Sequence, residues 1–197
     1  MLYFDNDPAR HILAPRNFAL VATIASDMID LYSAGGPPFP IKGMLAVLEP
    51  VTHIMPLESD GRPLDVYGYA FPLDFARHRK HAALWWDTTA ATPEAFLTFF
   101  HEAGHVLLHI LRDRYVSDWS YDRQVGAREN AARDLAEVEA DLFARLVTMP
   151  AAWVHEHWPY ACALTDTPDA AVVWMAELFS VPEGWMALRL RSLGLLR

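Results

Sequence analysis

Apolar residues recur at helical spacing between Pro15 and Tyr32, with Phe18, Val21, Ala22, Ala25, Met28, Ile29 and Tyr32 along one side, which predicts a first helix. The stretch "SAGGPPFP" (33–40) ends it, because glycine and proline break the pattern. Short apolar runs follow: "MLAVLEPVTHIMPL", "VYGYAFPL" and "HAALWWD", separated by "SDGRP" and "DFARHRK". They predict about three strands of a small, mainly antiparallel sheet. Pro50 and Pro56 make the first run the weakest strand, since proline cannot donate to a ladder. "ATPEAF" (91–96) then opens a long helix, with Thr92 as N-cap, Pro93 in the first turn and Glu94 at the positive end of the dipole. This helix should run to about Arg112. The polar stretch "DRYVSDWSYDRQVGAREN" reads as an irregular loop, and a further helix spans Ala131 to Thr148, stopped by Pro150. Two or three helices complete the tail, with turns at "TDTPD" and "SVPEG". The order predicts an α+β chain, with a small sheet packed on the helix that begins near Pro93 and a helical C-terminal part.

One segment breaks the hydrophobic logic. "FFHEAGHVLLH" (99–109) carries three histidines and a carboxylate in a run whose remaining residues are almost all apolar. A helix apolar on nearly every side is buried in its domain. Buried ionisable groups are costly unless paired or bound to a metal. His101 and His105 are four apart, so a helix puts them on one face, about 6 Å apart along the axis. With Glu102 between them they form H-E-x-x-H, the pattern in which two imidazoles hold zinc and the glutamate activates water.

A third ligand is available in "DLAEVEADLFARLVTMP". Glu137 and Asp141 are four apart and face the same way. Ala136, Ala140 and Ala144 would let that helix approach Ala103 and Gly104 closely. Glu137 is the candidate third metal ligand, giving His₂Glu with an open position. Asp141 is placed to accept from the far nitrogen of a ligand histidine and hold its tautomer. Glu139 competes with Glu137, but two residues on a helix are about 200° of rotation, so only one faces the histidines. On this reading Glu139 is dispensable for metal binding. His109 lies about 12 Å along the axis from His101, too far to share its ion, and should line the cleft or hydrogen-bond in the core. Leu108 and Leu111 stand where the longer metzincin pattern needs glycine and histidine. Tyr115, Tyr121, His155 and His157 are candidates for a second oxyanion donor. The edge of "HAALWWD" could pair with an extended substrate, with Trp85 or Trp86 in the groove.

Composition narrows the setting. The chain has 197 residues, 53% hydrophobic and 21% charged, with no run near the ~18 apolar residues of a membrane span. "MLYFDNDPARHILAPRN" lacks a basic stretch followed by an apolar one, so no signal peptide and no membrane partner are expected. The single cysteine, Cys162, excludes an internal disulfide, fits a cytoplasmic location and is expected to be a buried bystander. A net charge of −9 argues against a phosphate-binding surface. The tail resembles a helix-turn-helix only superficially: Arg189 and Arg191 are its only basic residues before Arg197. Direct nucleic-acid binding is therefore not expected.

"HEAGHVLLH" followed by "EVEADLFARLVTMP" resembles the ImmA/IrrE family of metallopeptidases, whose members typically show H-E-L-G-H-x-x-x-H and E-x-E-A-[ND]-x-F-A-x-x-L-L-M-P. "MAELFSVPEGWMALRLRSLGL" (175–195) is similar to that family's ending, so the resemblance covers about residues 90 to 195. Ala103 replaces the usual leucine, Asp141 the commoner asparagine and Thr148 a leucine; none of these is a proposed ligand. The resemblance implies a zincin-like, gluzincin-type fold in one domain over 1–197: an N-terminal helix and sheet (1–90), metal-binding helices (91–150) and a helical tail (151–197). It implies an endopeptidase using zinc, or manganese, held by His101, His105 and Glu137, with Glu102 as the base. It further implies, as protein substrate, a helix-turn-helix repressor, often encoded beside such enzymes. The rival is a metal-binding regulatory module that binds a repressor without cutting it. An intact Glu102 counts against that rival.

Overall fold

Pro93 and the Thr92 cap start the helix on which the molecule is organised. The Thr92 side chain accepts a hydrogen bond from the Ala95 N–H at 3.2 Å, satisfying one donor that a helix start leaves open. The computed structural model describes residues 15–32, 35–56, 68–73, 80–87, 92–112 and 131–197. Within them run α1 (Pro15–Tyr32), α2 (Ile41–Leu48), β1 (Thr52–Pro56), β2 (Gly68–Pro72), β3 (Ala82–Trp86), α3 (Pro93–Leu108), α4 (Ala131–Thr148), α5 (Ala151–Leu164), α6 (Pro168–Phe179) and α7 (Glu183–Ser192). The chain is thus α+β, with seven α-helices and a three-stranded sheet among the described residues. "SDGRP", "DFARHRK" before Lys80, and the loop expected over 113–130 lie outside those residues.

Two sequence expectations about the sheet need correction. The run beginning at Met44 is not one strand: Ile41–Leu48 is helical, with Met44 and Leu48 buried, and the strand begins at Thr52. Short apolar runs do not distinguish a buried helical turn from a strand, and here Glu49 and Pro50 separate the two. The sheet is also mixed rather than mainly antiparallel, with order β1-β3-β2, β1 parallel to β3 and β2 antiparallel to it. Periodicity reports strands, not neighbours. β1 lies beside β3 and parallel to it, while β2 pairs with the other side of β3. This places β3 at the centre, so the edge proposed for "HAALWWD" is already occupied on both sides. Its two tryptophans part across the strand: Trp86 packs on Phe99 of α3 (4.8 Å), and Trp85 joins Tyr69 (5.0 Å) and Phe71 (6.4 Å).

Helix α3 is enclosed. The sheet covers one side, α4 another, and Phe39 meets Phe100 edge-on from a third at 5.7 Å. Its end differs slightly from expectation: the α-helix stops at Leu108, and Ile110–Arg112 form a 3₁₀ turn, a common way to tighten a helix end. Helix α1 packs on α4, and α5, α6 and α7 pack in sequence around Phe179, Trp185 and Met186. Arg189 is buried there, its Nε donating to the Met149 carbonyl at 3.0 Å, while the Arg145 guanidinium lies 5.2 Å over the Trp185 ring. Cys162, expected to be buried, is exposed. On α5 the buried positions are Val154 and Ala161, and the next residue points about 100° away from that line. No described helix is long and apolar enough to cross a membrane.

Candidate metal centre

The histidines owe their positions to a close helix crossing. A Cβ on Gly104 would lie 3.1 Å from Phe143 Cδ1 and 3.2 Å from Ala140 Cα, so the backbones of α3 and α4 meet at Gly104 and Ala140. Small residues permit that approach. His101 and His105 flank Gly104 on one helix, and Glu137 and Asp141 flank Ala140 on the other. The crossing therefore delivers all four side chains to one spot.

Nε2 of His101 and Nε2 of His105 are 3.0 Å apart. Glu137 Oε2 lies 3.3 Å from Nε2 of His101, and Oε1 lies 3.6 Å from Nε2 of His105. One donor atom from each residue falls within 4.8 Å of the others. A tetrahedral zinc with bonds of about 2.0–2.1 Å requires donors roughly 3.3 Å apart. These separations, with two imidazoles and a carboxylate, fit a divalent metal. Nδ1 of His101 donates to Asp141 Oδ1 at 2.7 Å, which leaves Nε2 as its free coordinating nitrogen when the ring is neutral.

Glu102 stands beside the pair, buried against β2. Its carboxylate accepts from the Ala70 backbone N–H, while Oε2 is buried with no hydrogen-bond partner among the described residues. A Cβ on Gly68 would come within 2.8 Å of the Trp85 carbonyl and 3.6 Å of Glu102 Cγ, so only glycine lets β2 lie this close. An orphaned, buried carboxylate oxygen is costly and calls for an unfilled partner.

Charge is distributed accordingly. Burial raises the Glu102 pKa, and the charge on Glu137 adds to this, against the opposing charges of His101 and His105 and the Ala70 N–H. For His101, burial disfavours the cation, but the hydrogen bonds to Asp141 and Glu137 and the charges of Asp141 and Glu102 outweigh it. Its pKa is held well above the ordinary 6.5. Burial likewise opposes ionisation of Glu137, yet the close approach of His101 and His105 holds its carboxyl well below the usual carboxylate range.

Behind the pair lies an arrangement that helical rotation alone does not disclose. Nδ1 of His105 is 3.1 Å from Nδ1 of His109, and Nε2 of His109 is 3.0 Å from Glu139 Oε2. Glu139 is fully enclosed, at 0% exposure. It is turned from the metal position, as the 200° rotation requires, but it is attached to the site from the rear. The available signal was its place in the apolar stripe of α4, between Ala136, Ala140 and Phe143. Of the oxyanion candidates, Tyr115 and Tyr121 lie outside the described residues. His155 is exposed, and His157 donates to the Trp153 carbonyl at 2.8 Å.

No family model matches the chain, and no curated protein is significantly similar to it.

Proposed function

We propose that the protein is a metal-dependent endopeptidase of zincin-like fold. The observation that carries this reading is Glu102. Its carboxylate is buried next to a His₂Glu donor cluster, held at one oxygen by the edge of β2 and, among the described residues, without a partner at the other. His101, His105 and Glu137 would hold zinc or manganese. When bound, a divalent metal supplies Lewis acidity, bringing the pKa of a water toward ~7 and polarising a peptide carbonyl. Glu102 takes the proton from the attacking water and passes it to the leaving amine. Its raised pKa suits both acceptance and return of that proton. Asp141 orients His101, and Ala70 keeps Glu102 from swinging into the donor set.

The substrate class is a protein segment, and the ImmA/IrrE resemblance of residues 90 to 195 favours a helix-turn-helix repressor cut at one or very few bonds. A cytoplasmic enzyme with this role must discriminate strongly. The test pairs metal content with cleavage. Glu102→Gln should lower cleavage by about 10²–10⁴-fold while zinc stoichiometry stays at that of the unaltered protein. His101→Ala should lose the metal. A Glu102→Gln protein that binds zinc and cuts at the unaltered rate removes Glu102 as the base, and one that loses zinc as His101→Ala does shows that Glu102 is a ligand. An unaltered, zinc-loaded protein that cuts no protein segment sinks the peptidase reading. Rapid digestion of casein into many fragments would remove the single-substrate part alone.

A further inference from the structure

We infer that Glu139 and His109 form a buried positioning relay that fixes the proton of His105 on Nδ1 and so presents its Nε2 lone pair to the metal position. The inference rests on the metal reading above and extends it to residues outside the ligand set. His109 is 2% exposed, His105 3% and Glu139 0%, so bulk water does not compete for these hydrogen bonds. The contacts run in series: Glu139 Oε2 to Nε2 of His109 at 3.0 Å, then Nδ1 of His109 to Nδ1 of His105 at 3.1 Å.

The order of protons along this chain follows from its ends. A carboxylate oxygen only accepts, so Nε2 of His109 carries hydrogen and donates to Glu139. A neutral imidazole then has a bare Nδ1, which accepts from His105. His105 must therefore hold its proton on Nδ1, and Nε2 is left with a lone pair aimed at Nε2 of His101 and at Glu137. The reverse order would set a bare ring nitrogen against the Glu139 carboxylate. It would also put a proton on the His105 nitrogen that has to coordinate. The two ligand histidines are thus oriented by different devices. His101 donates directly to Asp141, whose side chain is 31% exposed, whereas His105 reaches its carboxylate through a second imidazole in the core. Partners that set the tautomer of a ligand histidine are worth about 10–100-fold in metal affinity.

The test reads ring-nitrogen shifts in the metal-free, ¹⁵N-histidine-labelled full chain and zinc affinity by chelator competition. The expected result is His105 protonated on Nδ1 and bare at Nε2, with His109 protonated on Nε2 and bare at Nδ1. His109→Phe should move the His105 proton to Nε2 and weaken zinc binding about 10–100-fold. His109→Gln should restore most of both, since its amide accepts at one atom and donates at the other. A His105 proton on Nε2 in the unaltered protein, or a doubly protonated His109, overturns the relay. So does a folded His109→Phe with unchanged shifts and affinity. If His109→Phe does not fold, His109→Gln decides, and a His105 proton on Nε2 in that variant overturns the relay. An unaltered protein that takes up no zinc removes the metal reading instead, and the metal-free shifts still judge the proton order.

Discussion

The histidine pair has an open front and a sealed back, and two glutamates two residues apart on α4 serve one side each. Glu137, at the front, keeps 45% of its side chain exposed and shares both Nε2 atoms. Glu139, at the back, has none exposed and reaches the pair through His109. Two carboxylates of the same type on the same helix thus meet unlike surroundings. The first is open to a metal and water on the proposed reading; the second is held in a buried hydrogen bond to His109. Rotation on a helix decides which carboxylate can ligate, and burial decides which can be replaced.

Truncating each glutamate in turn should give the largest effects. Glu137→Ala removes the proposed third ligand and should weaken zinc binding by more than the ~10–100-fold of an outer-partner loss, as read by chelator competition. Glu139→Ala should fall within that ~10–100-fold range and should also lower the unfolding midpoint, because it leaves the buried His109 Nε2–H without this acceptor. If Glu139→Ala costs more affinity than Glu137→Ala, the assignment of front and back is reversed. The proposed relay makes the opposite prediction to helical spacing alone, on which Glu139 is dispensable for the metal, and the affinity of Glu139→Ala decides between them.

Asp141→Ala sharpens the front by testing the His101 tautomer. It should cost about 10–100-fold in zinc affinity with a smaller loss of stability than Glu139→Ala, since Asp141 is partly exposed. An unfolding midpoint that falls as far as in Glu139→Ala would show that the two devices do not differ in their commitment to the core.

A smaller effect separates the crossing from the surface. Gly104→Ala pushes a methyl group against Phe143 and the Ala140 backbone, costing about 1–3 kcal/mol of overpacking against at most ~1 kcal/mol of helix propensity regained. Gly184, with nothing within 4 Å of its would-be Cβ, offers the control. Gly184→Ala should stabilise by up to about 1 kcal/mol. Denaturant titration of the two variants should give opposite signs, and a Gly104→Ala protein more stable than the unaltered one would refute the close approach.

The gentlest test is pH. In the metal-free protein His101 titrates well above the ordinary 6.5, so the stability it contributes is complete below that value and is lost as pH rises through its raised pKa. Zinc must displace that proton. Its affinity should therefore climb with pH by up to about tenfold per unit beyond the point where an ordinary histidine has finished titrating. A flat profile above pH 6.5 would mean that Asp141 and Glu137 do not hold a proton on His101.

Much of this architecture was legible along the chain. The Thr92 cap, the bounds of α1 and α4, and the three helices after Pro150 are local features, readable from capping residues and a period of 3.6. The convergence of His101, His105, Glu137 and Asp141 was legible too, since spacings of four put each pair on one helix face and the alanines marked the facing surface. The sheet was not. Strand order depends on which segments meet through space, and β1, β2 and β3 contain nothing that selects β3 as the centre. The helical turn at Ile41–Leu48 was lost because a buried apolar run satisfies either conformation.

What the sequence determined by itself is the set of groups on each helix face, because rise and rotation per residue are constants of the backbone. Only tertiary structure decided which faces meet and how deeply each is covered. That gave Ala70 to Glu102 and enclosed Glu139 with His109. A hydrogen bond between residues thirty positions apart, like the desolvation that gives it weight, comes from the packing of α3 on α4 and has no counterpart in local spacing.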